Sequence, residues 1–252
     1  MQAAGGRPLP APALVCEPLL EWAEHLFTTR AWTLGHGTLP SGCDGWDEVA
    51  GALGVAPDHL SRLRQVHGAT VVVAGQARGA PPDADVVISN RSDLAVAVQA
   101  ADCVPLLVVD RCNGAVAAAH AGWRGLAAQV PGETVNALNR VFGSRPDDLL
   151  AAIGPAIGQS RYEVGEDVRE AMARAFGGRD TSNWFTPGRA SGKWMFDTWA
   201  SARAQLEAAG VPASQIFVAG LCTASHPDAF CSYRRDGPPA GRIAAAIKPR
   251  RA

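Results

Sequence analysis

Two apolar runs joined by a tight turn constrain this chain more than any other feature. They are residues 104–109 and 115–119, inside the stretch QAADCVPLLVVDRCNGAVAAAHAGWRG at 99–125. Both are rich in small and β-branched residues, the composition of buried strands. Residues 110–114 part them with turn chemistry, and Asn113-Gly114 is a favoured hairpin dipeptide. An antiparallel hairpin puts the start of the first run beside the end of the second. Cys103 stands just before the first run and His120 just after the second, so the two meet at one end of a sheet. Asp102 adjoins the cysteine, and a glycine-flanked Trp123-Arg124 turn follows the histidine. Strand geometry alone predicts a reactive site here.

The remaining pattern alternates strands and helices. Strands are expected at 26–29, 85–89, 94–99, 149–153, 216–219 and 242–247, with extended segments at 63–66 and 70–73 flanking His67-Gly68. Helices are expected at 46–53 with Asp44 as N-cap, at 166–176, and at 197–209 with Asp197 as N-cap. Residues 126–142 have helical spacing interrupted by Pro131-Gly132, so the helix starts near Pro131 or starts earlier and bends. Residues 181–193 read as an exposed loop, 222–229 as a loop, and 1–12 as a disordered tail. Lys248-Pro249-Arg250-Arg251 reads as a solvated end. Close strand pairs among helices predict an α+β, or mixed α/β, fold: mixed sheets flanked by helices in a single domain over 13–248.

Composition excludes several function classes. A formal net charge of -1 leaves no electrostatic footprint for nucleic acid or an anionic membrane surface. No apolar run reaches the ~18 residues of a membrane span, and the N-terminal apolar stretch is too short for a signal-peptide core, so a cytoplasmic protein is expected. The six cysteines form no CxxC pair, so Cys103 must be argued from its neighbours.

Those neighbours support two chemistries. His67 and His120 each follow a strand and precede a glycine; with Cys103 they could form a His2Cys metal site, three ligands leaving one position open. Taken singly, a strand-end histidine or an isolated cysteine is ordinary structure. The same atoms could instead be a thiol–imidazole pair for nucleophilic catalysis, with Asp102 or Asp85 orienting the imidazole. Arg124 and the pair Arg234-Arg235 could clamp phosphate or carboxylate, and backbone N–H groups after Gly125 could assist if a helix starts there. The zinc-deaminase signature HxE…PCxxC is absent; so is any HxH pair, and six histidines are few for a cluster of several coppers, which puts an oxidase at a disadvantage.

Several phrases occur together: Gln65-Val66-His67-Gly68, Ala101-Asp102-Cys103-Val104-Pro105, Ala119-His120-Ala121-Gly122-Trp123-Arg124-Gly125, Ile153-Gly154-Pro155, Tyr162-Glu163-Val164-Gly165 and Ser232-Tyr233-Arg234-Arg235-Asp236. In this order they resemble the bacterial YfiH-like family, also called laccase-domain or multicopper polyphenol oxidase proteins and treated mainly as purine nucleoside phosphorylases. The resemblance implies a cysteine-hydrolase-like YfiH fold and one zinc at His67, Cys103 and His120. It implies phosphorolysis of adenosine, inosine and methylthioadenosine, with an adenosine deaminase side activity. The expected catalytic set is Cys103, His120 and Asp102, with Arg124, Arg234 and Arg235 on phosphate. The expected partners are a purine nucleoside and phosphate, in a monomer or weak homo-oligomer. An amide hydrolase editing peptidoglycan precursors and a copper-dependent polyphenol oxidase are the alternatives. The sequence departs from the family after Phe27-Thr28-Thr29-Arg30, where Ala31-Trp32-Thr33-Leu34-Gly35 replaces the usual glycine-rich phrase and a shorter segment follows.

Overall fold

A computed structural model describes residues 9–35, 45–75, 80–177 and 179–250. Its strands are Ala13–Leu14 (β1), Ala23–Thr28 (β2), Leu60–Ser61 (β3), Val71–Val73 (β4), Val86–Ser89 (β5), Ala95–Ala100 (β6), Val104–Asp110 (β7), Val116–Ala121 (β8), Leu149–Ile153 (β9), Glu163–Gly165 (β10), Phe185–Pro187 (β11), Lys193–Phe196 (β12), Ile216–Val218 (β13) and Ile243–Pro249 (β14). Its helices are Gly45–Ala52 (α1), Trp123–Ala127 (α2), Val130–Phe142 (α3), Glu166–Ala175 (α4), Thr198–Ala208 (α5) and Tyr233–Asp236 (α6). One large sheet runs β1-β2-β14-β6-β3 and the other β13-β9-β7-β8-β5-β4, both with mixed pairing; β10-β12-β11 form a third, small sheet.

Side-chain alternation dictates the layers. Successive residues of a strand face opposite sides. Val87, Leu107, Val109 and Ala118 of one large sheet meet Phe27, Val96, Val98 and Ile247 of the other. The opposite faces turn outward: Ile88, Leu106 and Val108 pack on α3, α4 and α5, and Leu26, Ala97 and Ala246 pack on α1. The order is therefore helix, sheet, sheet, helices. Every residue of β7 and β8 is buried, which explains their continuous apolar composition.

The expected hairpin is present. Pro105 faces His120 and Val104 faces Ala121 across β7 and β8. At the turn, Asp110 Oδ1 accepts the Cys112 and Asn113 N–H groups (2.7 and 3.2 Å), and Gly114 takes the left-handed conformation such a turn needs, φ +72°.

The structure decides one local expectation and corrects three others. Of the two readings of 126–142, the helix that starts near Pro131 is present: α3 begins at Val130 with Pro131 in its first turn, while Gln129 at φ +59° parts it from a separate short helix, α2, that begins at Trp123. Residues 181–193 are no simple exposed loop. Buried Trp184 and Phe185 anchor them, with Phe185 stacked on Phe196 at 4.6 Å, and β11 grows from that anchor. Lys248 and Pro249 belong to β14, paired with Glu24 and Ala23, and Arg250 ion-pairs with Glu24 at 2.9 Å. Of the expected 1–12 tail, the described part packs: the Pro12 carbonyl accepts from Thr29 Oγ1 and Trp32 Nε1 at 2.8 and 2.9 Å. The expected N-cap Asp44 lies outside the described residues; Asp197 caps α5, accepting the Ala200 N–H at 2.9 Å.

Candidate metal centre and active site

The chain leaves the first large sheet at the end of β6 and enters the second at β7 through residues 101–103. So short a crossing needs a sharp backbone turn, and Asp102 supplies it at φ +89°, a conformation unfavourable for any residue but glycine. Side-chain bonds hold it there. Asp102 Oδ1 accepts from Thr223 Oγ1, and Oδ2 accepts the Arg234 N–H, both at 2.6 Å. Its own carbonyl accepts the Ile157 N–H at 2.9 Å. Asp102 thus ties the crossing to the 223 loop and α6.

Cys103 follows this turn, beside His120 near the end of β8. His67 arrives from the loop before β4. The ligand atoms of His67, Cys103 and His120 lie within 4.8 Å of one another, and the two imidazole rings meet edge to face at 4.9 Å. Gly122 makes room: a Cβ there would lie 2.8 Å from Cys103 Sγ and 3.2 Å from His67 Cδ2.

Asp85, just ahead of β5, organises this cluster. It is completely buried. Oδ1 accepts from His120 Nδ1 (2.9 Å) and the His67 N–H (3.0 Å). Oδ2 accepts the Val66 and Gly68 N–H groups at 3.2 and 2.7 Å. These bonds hold His67 in its left-handed conformation, φ +60°, and orient the His120 ring so that Nε2 faces the cluster. Gln65 adds a second brace. Its amide pairs with the Gln99 backbone in both directions, each bond 2.8 Å, tying the His67 loop to the end of β6.

The charges follow from this geometry. Burial raises the Asp85 pKa, but its hydrogen bonds to His120, Gly68 and His67 outweigh that and hold it below the usual carboxylate range. Burial also pushes the Cys103 thiol up, while the His120 and His67 imidazoles bring it down to about 6. Burial pushes His120 down, while Asp85 and Cys103 bring it up to about 9. At neutral pH Cys103 is therefore a thiolate. A divalent ion would displace the His120 proton on binding, and the thiolate with two imidazole nitrogens, braced by a carboxylate behind one ring, then suits a borderline-soft ion such as zinc or a single copper.

A cavity of about 860 Å³ opens over the cluster, with Arg124, Tyr162, Tyr233 and Arg234 among its walls. Arg124 lies 4.3 Å over the Trp123 ring and Arg234 lies 4.9 Å over the Tyr162 ring. Arg235 is placed differently. Its guanidinium bonds the Thr223 and Phe230 carbonyls (2.9 and 3.0 Å) and Asp236, and it lines a neighbouring groove. Asp102 borders the cavity, but both its oxygens are engaged with Thr223 and Arg234; the carboxylate on His120 is Asp85. Helix α2 has five residues, too short to form an anion site at its N-terminus, so Arg124 brings only its side chain. Gln65 is the contributor that sequence reasoning missed: it opens the phrase 65–68, but only the fold shows its amide reaching Gln99.

The chain is similar to several known proteins. A purine nucleoside phosphorylase of Bacteroides thetaiotaomicron is 39% identical over 163 residues, 65% of this chain and 60% of that protein. Purine nucleoside phosphorylase YfiH of Escherichia coli is 40% identical over 196 residues, 78% of this chain and 76% of that protein. A protein named adenosine deaminase, from an unknown prokaryotic organism, is 35% identical over 208 residues, 79% of this chain and 78% of its own. The crystal structure of YlmD from Geobacillus stearothermophilus superposes with a TM-score of 0.87 at 29% identity, covering 97% of this chain and 98% of that one. Residues 44–250 match the family described as multi-copper polyphenol oxidoreductase laccase, and this chain belongs to that family, the one that includes the YfiH proteins.

Proposed function

We propose that this protein is a zinc-dependent purine nucleoside phosphorylase, catalytic over residues 13–248, that acts on adenosine, inosine and methylthioadenosine and has an adenosine deaminase side activity. The observation that carries the reading is the convergence of His67, Cys103 and His120 under a cavity walled by Arg124 and Arg234. The phosphorylase and deaminase names of the relatives supply the reaction class. Zinc held by these three donors would supply a Lewis acid beside the substrate. Asp85 holds His120 and the His67 backbone in register. Arg124 offers a planar fork of donors to a phosphate dianion, and Arg234, whose Nη1 donates to the Glu163 carbonyl at 2.8 Å, offers its remaining N–H groups. In phosphorolysis a phosphate oxygen forms a bond to ribose C1′ as the C1′–N9 bond breaks. The bond pair leaves with the purine, which takes up a proton, giving ribose 1-phosphate and free base. Asp102 and Arg235 serve as braces for the arm that carries Arg234.

Metal analysis and a product screen test the proposal together. The purified protein should hold about one zinc per chain, and adenosine should yield adenine only when phosphate is present. Inosine formed without phosphate, and with no adenine, would make deamination the main reaction. Nucleosides unchanged under every condition would overturn the reading.

The Cys103–His120–Asp85 array also supports a second reading, a thiol hydrolase acting on amides, because a thiolate beside an imidazole backed by a carboxylate is a competent nucleophile. Iodoacetamide separates the two. As a zinc ligand, Cys103 resists alkylation until a chelator is added. Rapid labelling of the zinc-loaded protein, with an acyl-enzyme trapped at Cys103, would favour the hydrolase.

A further inference from the structure

The arm that carries Arg234 also presents a bare aromatic ring at the cavity. Phe230, Cys231 and Ser232 are buried, and Ser232 has no exposed surface at all. The next side chain, Tyr233, is 52% exposed and lines the cavity. The backbone beneath it is pinned on several sides. Ser232 Oγ accepts the Arg235 N–H at 3.3 Å, the Ser232 carbonyl accepts the Asp236 N–H at 2.9 Å, and Asp102 Oδ2 accepts the Arg234 N–H at 2.6 Å. The Arg235 guanidinium ties the same turn to the Thr223 and Phe230 carbonyls.

The other aromatic rings in the cavity wall are already occupied. Tyr162 has Arg234 over one side and Phe196 stacked at 6.0 Å, and Trp123 has Arg124 over it. Among the described residues Tyr233 makes no ring–ring or cation–ring contact. A large ring on a fixed backbone, with only two side-chain torsions to immobilise, is preorganised for a flat apolar ligand. The cavity therefore divides its work. Arg124 and Arg234 suit an anion; Tyr233 suits a neutral planar ring.

We infer that Tyr233 is the platform on which the base of the substrate stacks, and that it sets the preference of the cavity for planar heteroaromatic bases. The inference rests on the nucleoside reading for its ligand. Zinc-loaded wild-type, Tyr233→Phe and Tyr233→Ala proteins test it through the KM for adenosine, the KM for phosphate, and the Kd for free adenine by calorimetry.

Tyr233→Ala should raise the KM for adenosine and the Kd for adenine about tenfold, the worth of one base–aromatic stack (about 1.4 kcal/mol). The KM for phosphate should stay within about twofold, and Tyr233→Phe should match the wild type. Unchanged adenosine and adenine constants in the alanine variant would overturn the inference, as would equal losses in both variants. A change of oligomeric state with unaltered ligand constants would also overturn it, making Tyr233 a contact between copies. If the wild type shows no phosphorolysis, the proposed function fails by itself and adenine binding still decides the role of Tyr233. A wild type that binds no adenine refutes the stacking platform too.

Discussion

Replacing Asp85 by asparagine is the sharpest perturbation of the site, because it is isosteric and its cost can be worked from the bonds. Four donors converge on the carboxylate, two on each oxygen. An asparagine presents one oxygen and one NH2, so in either amide orientation two donors face another donor. Orienting the NH2 toward His120 strands His120 Nδ1 and the His67 N–H; the opposite orientation strands the Val66 and Gly68 N–H groups. Hydrogen bonds to charged groups contribute about 1.5–3 kcal/mol, and a buried donor left unpaired costs about 1–3 kcal/mol. Two such losses place the destabilisation at about 3–5 kcal/mol, or roughly 10 °C in Tm for a chain of this size. Metal affinity should fall about 10- to 100-fold, the usual cost of losing the carboxylate behind a ligating histidine. Thermal melts with and without chelator, joined to a zinc competition titration, give both numbers. A Tm within about 2 °C of wild type and an unchanged zinc Kd would refute the reasoning that Asp85 organises the site.

Two further outcomes follow from the packing and burial of single residues. Gly122→Ala adds a methyl 2.8 Å from Cys103 Sγ on a backbone that any residue tolerates (φ -71°, ψ 179°). Zinc affinity should drop at least about tenfold while the metal-free Tm moves by only a few degrees; unchanged zinc binding would show that the cluster has slack. Far from the site, His25 is buried in β2, where its Nε2 accepts the Cys16 N–H at 2.9 Å. Burial holds its pKa below the ordinary value, so the unfolded chain takes up a proton first as pH falls below about 6.5. Stability should then decline with acidification by at most about 1.4 kcal/mol per pH unit, ending at the folded-state pKa. His25→Gln should flatten that part of the Tm–pH curve between pH 7.5 and 5, and parallel curves for both proteins would refute it.

Much of the site was legible because strand pairing is legible. The hairpin brings Cys103 to His120 by geometry alone, and the turn residues that close it are visible in the sequence. A strand end before a glycine makes His67 a candidate ligand, but nothing local says that residues 65–68 return to the end of β8, and the family resemblance is what singles it out. The choice between Asp85 and Asp102 was equally hidden. Both flank apolar strands, and only the fold shows four donors around one and the Thr223 and Arg234 contacts on the other. Arg235 and Arg234 are neighbours in sequence, yet one braces the turn from behind and the other faces the cavity. A four-residue helix separates their directions, and no pattern in the sequence fixes that. The division into two stacked sheets was also out of reach. When every strand is covered on both faces, alternation disappears from the composition, and with it the sign of which sheet a strand joins.

That same burial explains why the chemistry sits where it does. Strands β7 and β8 have no solvent face, so a polar or charged group can be placed only at their ends, where backbone and side-chain donors are still available to satisfy it. One end carries the Asp110 turn, whose carboxylate is occupied by its own loop. The other end is the crossing from β6 to β7, where two sheets, the His67 loop and α6 all terminate within reach. The two strained residues of the site, His67 and Asp102, both lie there, each held by hydrogen bonds contributed by a different segment. Such conformations cost about 1–3 kcal/mol each and persist only where the surrounding structure over-determines them. The bonds made by Asp85 and Asp102 therefore do two things at once. They offset local strain, and they make the position of each metal-facing group depend on the segments that wall the cavity.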